Sequence, residues 1–239
     1  MTAVMQPYLF PYLGYFQLVG AVDHFVFYDD VQYINEGWIN RNRLPQQGWF
    51  TVPVAAGPLA TPIYEQAVAR GAYPRFRRKW LKGFGLTYSK APFYGRVREL
   101  VETVFVEQPA GIAAMAERSV RLTAGYLGLA TPFFRASTLT YDRSLTAQDR
   151  LLDLLRSIGA DHYLNPAGGQ PLYQPAVFAK RGVRLSFLHA GLSAVPDGQG
   201  QYSMLHLLAH YEPAQCRDWL GRYTITTPTA YAAAADHTP

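Results

Sequence analysis

The first fifty residues mix side chains that bind with side chains that move protons. Gln6-Pro7-Tyr8 closes one short apolar run, and Asp29-Asp30 closes a second about twenty residues later. Gln32, Tyr33 and then Trp38-Ile39-Asn40-Arg41-Asn42 come next. A carboxylate can accept the proton of an attacking nucleophile. A carboxamide carries a donor and an acceptor on one rigid group and can orient a hydroxyl or an acyl carbonyl. Arg41 presents a planar fork for phosphate or carboxylate, while Tyr8, Tyr12 and Trp38 present flat apolar faces with a polar edge. On an extended segment Asn40 and Asn42 fall on one face and Arg41 on the other, because strand side chains alternate. Standing alone, Asp29-Asp30 reads as a turn with one carboxylate capping the next segment; its amide, guanidinium and aromatic neighbours favour a site.

These groups can meet only if the elements before them end at one edge. Residues 2–6 are apolar and closed by Pro7, which reads as a buried strand. After a loop, Pro11 suits a first helical turn; Tyr12, Phe16 and Val19 then recur at helical spacing up to Gly20. Residues 24–28 form a β-branched and aromatic run. Strand, loop, helix and strand in thirty residues make a βαβ unit and hence a parallel sheet. Ligands of such sheets bind beyond the carboxyl ends of the strands, which is where Gln6, Tyr8, Asp29 and Asp30 belong.

The rest of the chain continues the pattern. Residues 49–54 read as a strand, and 74–106 are helical with interruptions near Gly83, Gly85 and Pro92. A helix over 112–127 ends at Gly128, and a strand spans 133–137. Leu151, Leu154, Leu155 and Ile158 form the apolar stripe of a helix over 144–158, with Ser144 or Thr146 as cap and Gly159 past its end. A second βαβ-like unit has strands at 161–165 and 183–188 around a Gly168-Gly169 turn and a helix over 173–180. Residues 190–202 read as a loop or mobile lid, with helices over 203–211 and 213–220 after it. The expected fold is a three-layer α/β domain over 1–227: a mostly parallel sheet flanked by helices, with a helical C-terminal part. A loosely held tail is expected over 228–239.

Other residues have a functional and a plainer reading. Gly168-Gly169 could cradle an anion, with Tyr173 lining a pocket beside it, but no nucleotide-loop framework surrounds the pair. His206 and His210 share one helix face, a spacing that can hold a metal; no metalloprotease Glu accompanies them, so packing is favoured and no metal site is assigned. His206 remains a candidate proton acceptor because histidine titrates near neutrality. Cys216 reads as packing. Arg75-Phe76-Arg77-Arg78-Lys79 reads as a solvated face, or as a dock for an acidic acyl-carrier protein.

Composition narrows the classes. The chain has 239 residues, 49% apolar and 16% charged, with 17 tyrosines, so it can bury a core and is no disordered segment. Its net charge of +5 and pI near 9.3 favour anionic ligands. No zinc-finger, basic-zipper or RNA-binding signature is present, which leaves nucleic acid disfavoured. One cysteine excludes an intrachain disulfide. The start lacks a basic leader, and no apolar run reaches the roughly 18 residues of a membrane span, so a cytoplasmic protein is expected.

Gln6-Pro7 at a strand end, Tyr28-Asp29-Asp30-Val31-Gln32 after the second strand, and Trp38-Ile39-Asn40-Arg41-Asn42 together resemble the opening of the WbqC-like family. The resemblance extends through Trp49-Phe50-Thr51-Val52-Pro53-Val54 and Tyr88-Ser89-Lys90-Ala91-Pro92-Phe93-Tyr94, and more loosely to about residue 211. Such proteins occur in bacterial O-antigen and natural-product gene clusters. That setting implies a group-transfer enzyme joining an acyl or aminoacyl unit to an amine on a small-molecule substrate, with Asp30 and Asp29 taking the proton. No cofactor motif is spelled out; a thioester donor, coenzyme A or a carrier protein, would suit the chemistry. The chain departs from the family at Lys79-Trp80, where relatives carry a basic-His pair, and at Ser203-Met204-Leu205-His206, where they carry an acidic residue. Phe10-Pro11-Tyr12-Leu13-Gly14-Tyr15 also has the layout of the HxGH motif of nucleotidylyltransferases, with tyrosine at both histidine places. That leaves a nucleotidyltransferase-like enzyme and a non-catalytic biosynthetic subunit as alternatives.

Overall fold

The structure is a computed structural model and describes residues 1–228. Six strands form the main sheet: β1 (Thr2–Met5), β2 (His24–Phe27), β5 (Phe133–Arg135), β6 (His162–Pro166), β7 (Arg184–Ala190) and β8 (Tyr223–Thr226). Their order is β5-β2-β1-β6-β7-β8. All neighbours are parallel except the β7–β8 pair. Between β2 and β5 the chain forms a separate antiparallel hairpin, β3 (Arg41–Leu44) and β4 (Gly48–Thr51). The helices are α1 (Leu13–Gly20), α2 (Tyr73–Tyr88), α3 (Tyr94–Val104), α4 (Ile112–Tyr126), α5 (Ala147–Ser157), α6 (Pro175–Lys180), α7 (Met204–His210) and α8 (Pro213–Leu220).

Strand alternation splits the core in two. Ala3, Phe25, Phe27, Leu164 and Leu188 face one side, packed with α1 and with residues of α2, α3, α4, α7 and α8. Val4, Val26, Tyr163, Leu185 and Phe187 face the other, against the leucines of α5 and Phe178 of α6. Because both faces of the sheet are covered, its strands read as near-continuous apolar runs. The result is the three-layer α/β arrangement that the sequence predicts.

From β1 the chain steps outward through β2 to β5, then returns to the far side of β1 with β6 and β7. The direction of winding therefore reverses between β1 and β6, which is where doubly wound sheets open a crevice. The ladder there consists of one register pair, Thr2 with Tyr163. No further register pair joins the two strands; Gln6 follows the end of β1 and Ala167 the end of β6.

Several boundaries differ from the sequence reading for identifiable reasons. Gly83 and Gly85 lie inside α2 and do not interrupt it; an added Cβ would approach the Gln47 amide and the Tyr94 hydroxyl, so small residues there let neighbours close in. The break falls instead at 89–93, around Pro92. Helix α1 starts at Leu13, two residues after Pro11, whose carbonyl accepts from Met204 N. Helix α5 starts at Ala147, because Ser144 bonds Asp142 and does not cap it. Strand β5 stops at Arg135 and passes into a 3-10 turn at Ala136–Thr138. Residues 190–202 are anchored by two 3-10 turns, with Val195 buried and Gly200 pressed against the Leu192 backbone. Strand β8 is an element that the sequence reading lacks. Of the predicted tail, 229–239 lie outside the described residues. Among the described residues no helix is long and apolar enough to cross a membrane.

Candidate functional site

The loop from Pro7 to Pro11 leaves β1 and is held almost entirely through its backbone. Leu9 N donates to the Trp38 carbonyl, and Phe10 N donates to Ser119 Oγ at 2.8 Å. Asn42 Nδ2 donates to the carbonyls of Leu9 and Phe10, and Ser203 Oγ adds a second bond to Phe10 O at 2.8 Å. Phe10 adopts a left-handed backbone, φ 48°, an uncommon state for a non-glycine residue. Its ring is buried against Trp80 and Phe105. With Leu9 and Phe10 turned inward, Tyr8 and Tyr12 stay half-buried at the carboxyl edge of β1. Gly14 makes room for Tyr12: an added Cβ would lie 2.5 Å from the tyrosine ring.

An aromatic and cationic cluster surrounds that mouth. Tyr8 lies 5.4 Å from Trp38, and Trp38 lies 5.2 Å from Trp49, centroid to centroid. Both tryptophans are about half exposed. Arg41 stands 4.8 Å over the Trp49 ring and donates from Nε to Gly37 O. Arg43 faces Trp49 at 5.9 Å and Tyr202 at 5.5 Å. Burial raises the Tyr8 hydroxyl far above its ordinary pKa; Tyr12 adds to that rise and Arg43 opposes it. The surface so formed suits a planar or sugar-like ligand bearing an anion. Arg43, Trp49 and Tyr202 are additions to the predicted site residues, although the strand alternation that singles out Arg41 also places Arg43 beside it.

The two asparagines share one buried face, as alternation requires, but that face is the protein interior. Asn40 Nδ2 donates to Val52 O at 2.8 Å, and Asn42 Oδ1 accepts from Arg43 N at 2.7 Å. Asn40 Oδ1 is buried without a partner among the described residues. Their carboxamides thus fix the hairpin and the first loop from behind the cleft.

Asp29 and Asp30 leave β2 one strand away and grip the β5–α5 connection. Asp29 accepts from Ser137 N at 2.8 Å and from Ser137 Oγ at 2.7 Å. Asp30 Oδ2 accepts from Tyr141 Oη at 2.6 Å and from Arg143 Nε at 2.7 Å. Arg150 Nη2 lies 3.2 Å from Asp30 Oδ1 and bonds the Asp30 carbonyl at 3.0 Å. Oδ1 itself has no hydrogen bond among the described residues. Arg150 also lies over Tyr28 and Tyr141, at 5.6 and 5.8 Å, so two guanidiniums face one buried carboxylate. Burial pushes the Tyr28 hydroxyl up to about 12.

The β6 side of the crevice carries Gly168 and Tyr173. Gly168 is exposed in a 3-10 segment, Ala167–Leu172. Gly169 presses on Asn165, where any Cβ would collide with Nδ2. Tyr173 is half-buried, its hydroxyl 3.4 Å from that of Tyr163, which donates to Asn165 Oδ1 at 2.9 Å. Gln32 is exposed and lies on the segment that bridges to Pro62.

His206 sits behind Tyr202, 6.1 Å ring to ring. Gln199 Oε1 accepts only, so the 3.0 Å contact with Nε2 puts the proton there; Nδ1 then accepts from Tyr88 Oη at 3.1 Å. Burial, with His210 beside it, pushes the imidazole down to about 4. His206 is therefore a neutral residue with both nitrogens engaged. Tyr15, at the second histidine place of the HxGH-like run, is buried and donates to Gln6 O at 3.1 Å. Among the described residues no group of three or more His, Cys, Asp or Glu side chains is placed to hold a metal ion.

Comparison with known proteins agrees with the motifs on which this site is built. A model of the WbqC-like protein family matches residues 6–215. The chain is also similar to the uncharacterized protein Rv1507c of Mycobacterium tuberculosis, 26% identical over 218 residues that cover 89% of each chain. No solved structure matches it significantly. The matched span takes in every strand from β2 to β7 and every residue of the cleft; the chain belongs to the WbqC-like protein family.

Proposed function

We propose that the chain is a group-transfer enzyme that joins an acyl or aminoacyl unit to an amine, with substrates bound where β1 and β6 part. The observation that carries this reading is the half-exposed cluster of Tyr8, Tyr12, Trp38 and Trp49 edged by Arg41 and Arg43. It lies at the winding reversal of a parallel sheet, the usual place for a ligand. Aromatic faces hold the planar or sugar portion of a substrate, and the guanidiniums hold its anion. A thioester donor supplies both an anionic handle and an activated carbonyl.

In the transfer step the amine nitrogen attacks the thioester carbonyl. A C–N bond forms, the C–S bond breaks, and the thiolate leaves. The nitrogen must shed one proton, and Asp30 accepts it at Oδ1, a buried oxygen without a hydrogen bond among the described residues. Arg143 and Arg150 hold the Asp30 carboxylate in place. A carboxylate suffices once attack has begun, because the nitrogen of the tetrahedral intermediate is far more acidic than the free ammonium.

The test is a melting-temperature screen of the full chain against acyl-coenzyme A thioesters, amino sugars, nucleotide sugars and nucleoside triphosphates with Mg²⁺, then a transfer assay on each hit. A ligand at a hundred times its Kd stabilises the fold by about 2.7 kcal/mol. The expected result is a shift with a thioester or an amino sugar that disappears in Arg43→Ala. A shift confined to triphosphates would replace this reading with nucleotidyl transfer. No shift with any of them would favour a non-catalytic subunit.

A further inference from the structure

Helix α2 carries its charge in a way that its own stability does not call for. Its 16 residues include Arg75, Arg77, Arg78, Lys79 and Lys82 and no acid. Residues three and four apart are neighbours on a helix, so Arg75 repels Arg78 and Lys79, and Lys82 repels both of them as well. Arg75 lies in the first turn, where the helix dipole favours an acid and disfavours a cation. Arg75, Arg78, Lys79 and Lys82 are exposed, and none of them enters an ion pair among the described residues. A face that served solubility alone would do better with both signs interspersed.

These cations form one stripe, and the stripe ends on an apolar residue. Leu86, on the turn after Lys82, is 77% exposed, although Trp80, Phe84 and Tyr88 of the same helix are buried in the core. At the helical rise per residue the stripe from Arg75 to Leu86 runs about 16 Å, longer than a single phosphate can bridge. Grooves flank it on both sides: Arg78 with Tyr73 and Leu81 lines one, and Lys79 with Phe76 and Trp49 lines the other. Trp49 also packs on Trp38 and lies under Arg41, so the second groove borders the aromatic cluster.

We propose that this face of α2 docks an acidic carrier protein, which delivers the acyl or aminoacyl thioester to the cluster past Trp49. Carboxylates along one helix of the carrier meet Arg75, Arg78, Lys79 and Lys82, and an apolar residue of that helix covers Leu86. A nucleic-acid backbone matches the cations but has no partner for Leu86. A membrane surface needs a broad apolar face to insert, and α2 has committed its own to the core. The inference rests on the group-transfer reading for the cargo alone; the contact between the two proteins stands by itself.

Isothermal titration of the full chain with a bacterial holo acyl-carrier protein tests the dock, with single-stranded DNA and phosphatidylglycerol vesicles as rival polyanions. The carrier protein should bind saturably at low salt, and more weakly as salt screens the charges. Arg78→Glu combined with Lys79→Glu turns every like-charged pair of the stripe into an attractive one, so this variant should melt at or above the wild-type temperature. The same variant should bind the carrier protein about tenfold more weakly or worse. Leu86→Ser leaves the charge unchanged and should weaken binding about threefold. No saturable binding, or unchanged affinity in the folded charge-reversed variant, would overturn the dock. Binding of DNA or of vesicles alone would overturn it and put that ligand in the carrier's place. Carrier binding that DNA equals and Leu86→Ser leaves intact would reduce the face to a general polyanion surface and overturn it too. Carrier binding without transfer from any thioester would keep the dock and sink the group-transfer reading. Transfer from a coenzyme A thioester by a chain that binds no carrier protein would do the reverse.

Discussion

Asn42 Nδ2 donates to the Phe10 carbonyl at 2.5 Å, across 32 residues of chain, and so fixes a residue whose backbone φ is 48°. Through this bond the hairpin decides where the first loop stands. Asn42→Ala would withdraw the donor from two buried carbonyls, those of Leu9 and Phe10, and leave Arg43 N without its acceptor. The expected loss is about 2–4 kcal/mol in urea unfolding, since each unsatisfied buried group costs roughly 1–3 kcal/mol and Ser203 still serves Phe10. A variant within about 0.5 kcal/mol of wild type, the range of ordinary surface changes, would show that the loop is held by packing alone.

That clasp marks the limit of what the sequence reveals. Period-two alternation correctly puts Asn40 and Asn42 on one face, yet alternation cannot say which face is interior, and here the amides turn inward. The strands before Gln6 and Asp29 are legible because burial on both sides makes them apolar runs bounded by proline, glycine or acid. The partners of the two aspartates are not. Ser137 is 108 residues from Asp29 and Arg150 is 120 from Asp30. Only the pairing of β5 beside β2 brings them together, and no local spacing encodes a crossover. The strand β8 escapes sequence reading for a simpler reason: four residues, Tyr223–Thr226, give too short an alternation to stand out.

Asp30 both bridges to arginines and, in the proposed reaction, accepts a proton; two variants separate these roles. Asp30→Asn leaves Arg143 and Arg150 facing a neutral amide and should cost about 2–3 kcal/mol, less than a fully buried pair because Arg143 is partly exposed. Arg143→Ala loosens the same junction while keeping the carboxylate. With both assayed below their melting temperatures, turnover should collapse in Asp30→Asn and survive in Arg143→Ala. Equal losses in the two would reduce Asp30 to a positioning residue.

Cys216 is fully buried on α8, and burial pushes its thiol up to about 12 despite neighbouring Arg217. At neutral pH it is protonated and shielded, so it is no nucleophile. A disulfide reagent such as dithiobis(nitrobenzoate) should leave the native chain unlabelled and titrate one thiol in denaturant, matching the single cysteine of the sequence. Rapid labelling under native conditions would contradict the packing of α8 against the core.

His206 supplies the pH dependence. Its imidazole is neutral in the fold and is pushed down to about 4 from the ordinary 6.5, first by burial and then by His210. An unfolded chain binds a proton at this residue near pH 6.5, whereas the folded chain does so only near 4. Between those values the unfolded state holds more protons, so stability falls as the pH falls and is level above about 6.5. Protonation would also turn Nδ1 from acceptor to donor and break the bond that Tyr88 Oη donates to it. Urea midpoints at pH 7.5 and pH 5, taken for wild type and His206→Gln, isolate the contribution of this group from that of the carboxylates. Between the two pH values wild type should lose on the order of 1 kcal/mol more than the variant, once solvent screening is allowed for. Parallel pH profiles for the two proteins would mean that the imidazole charges inside the fold without penalty, and that the Tyr88–His206–Gln199 chain does not hold it neutral.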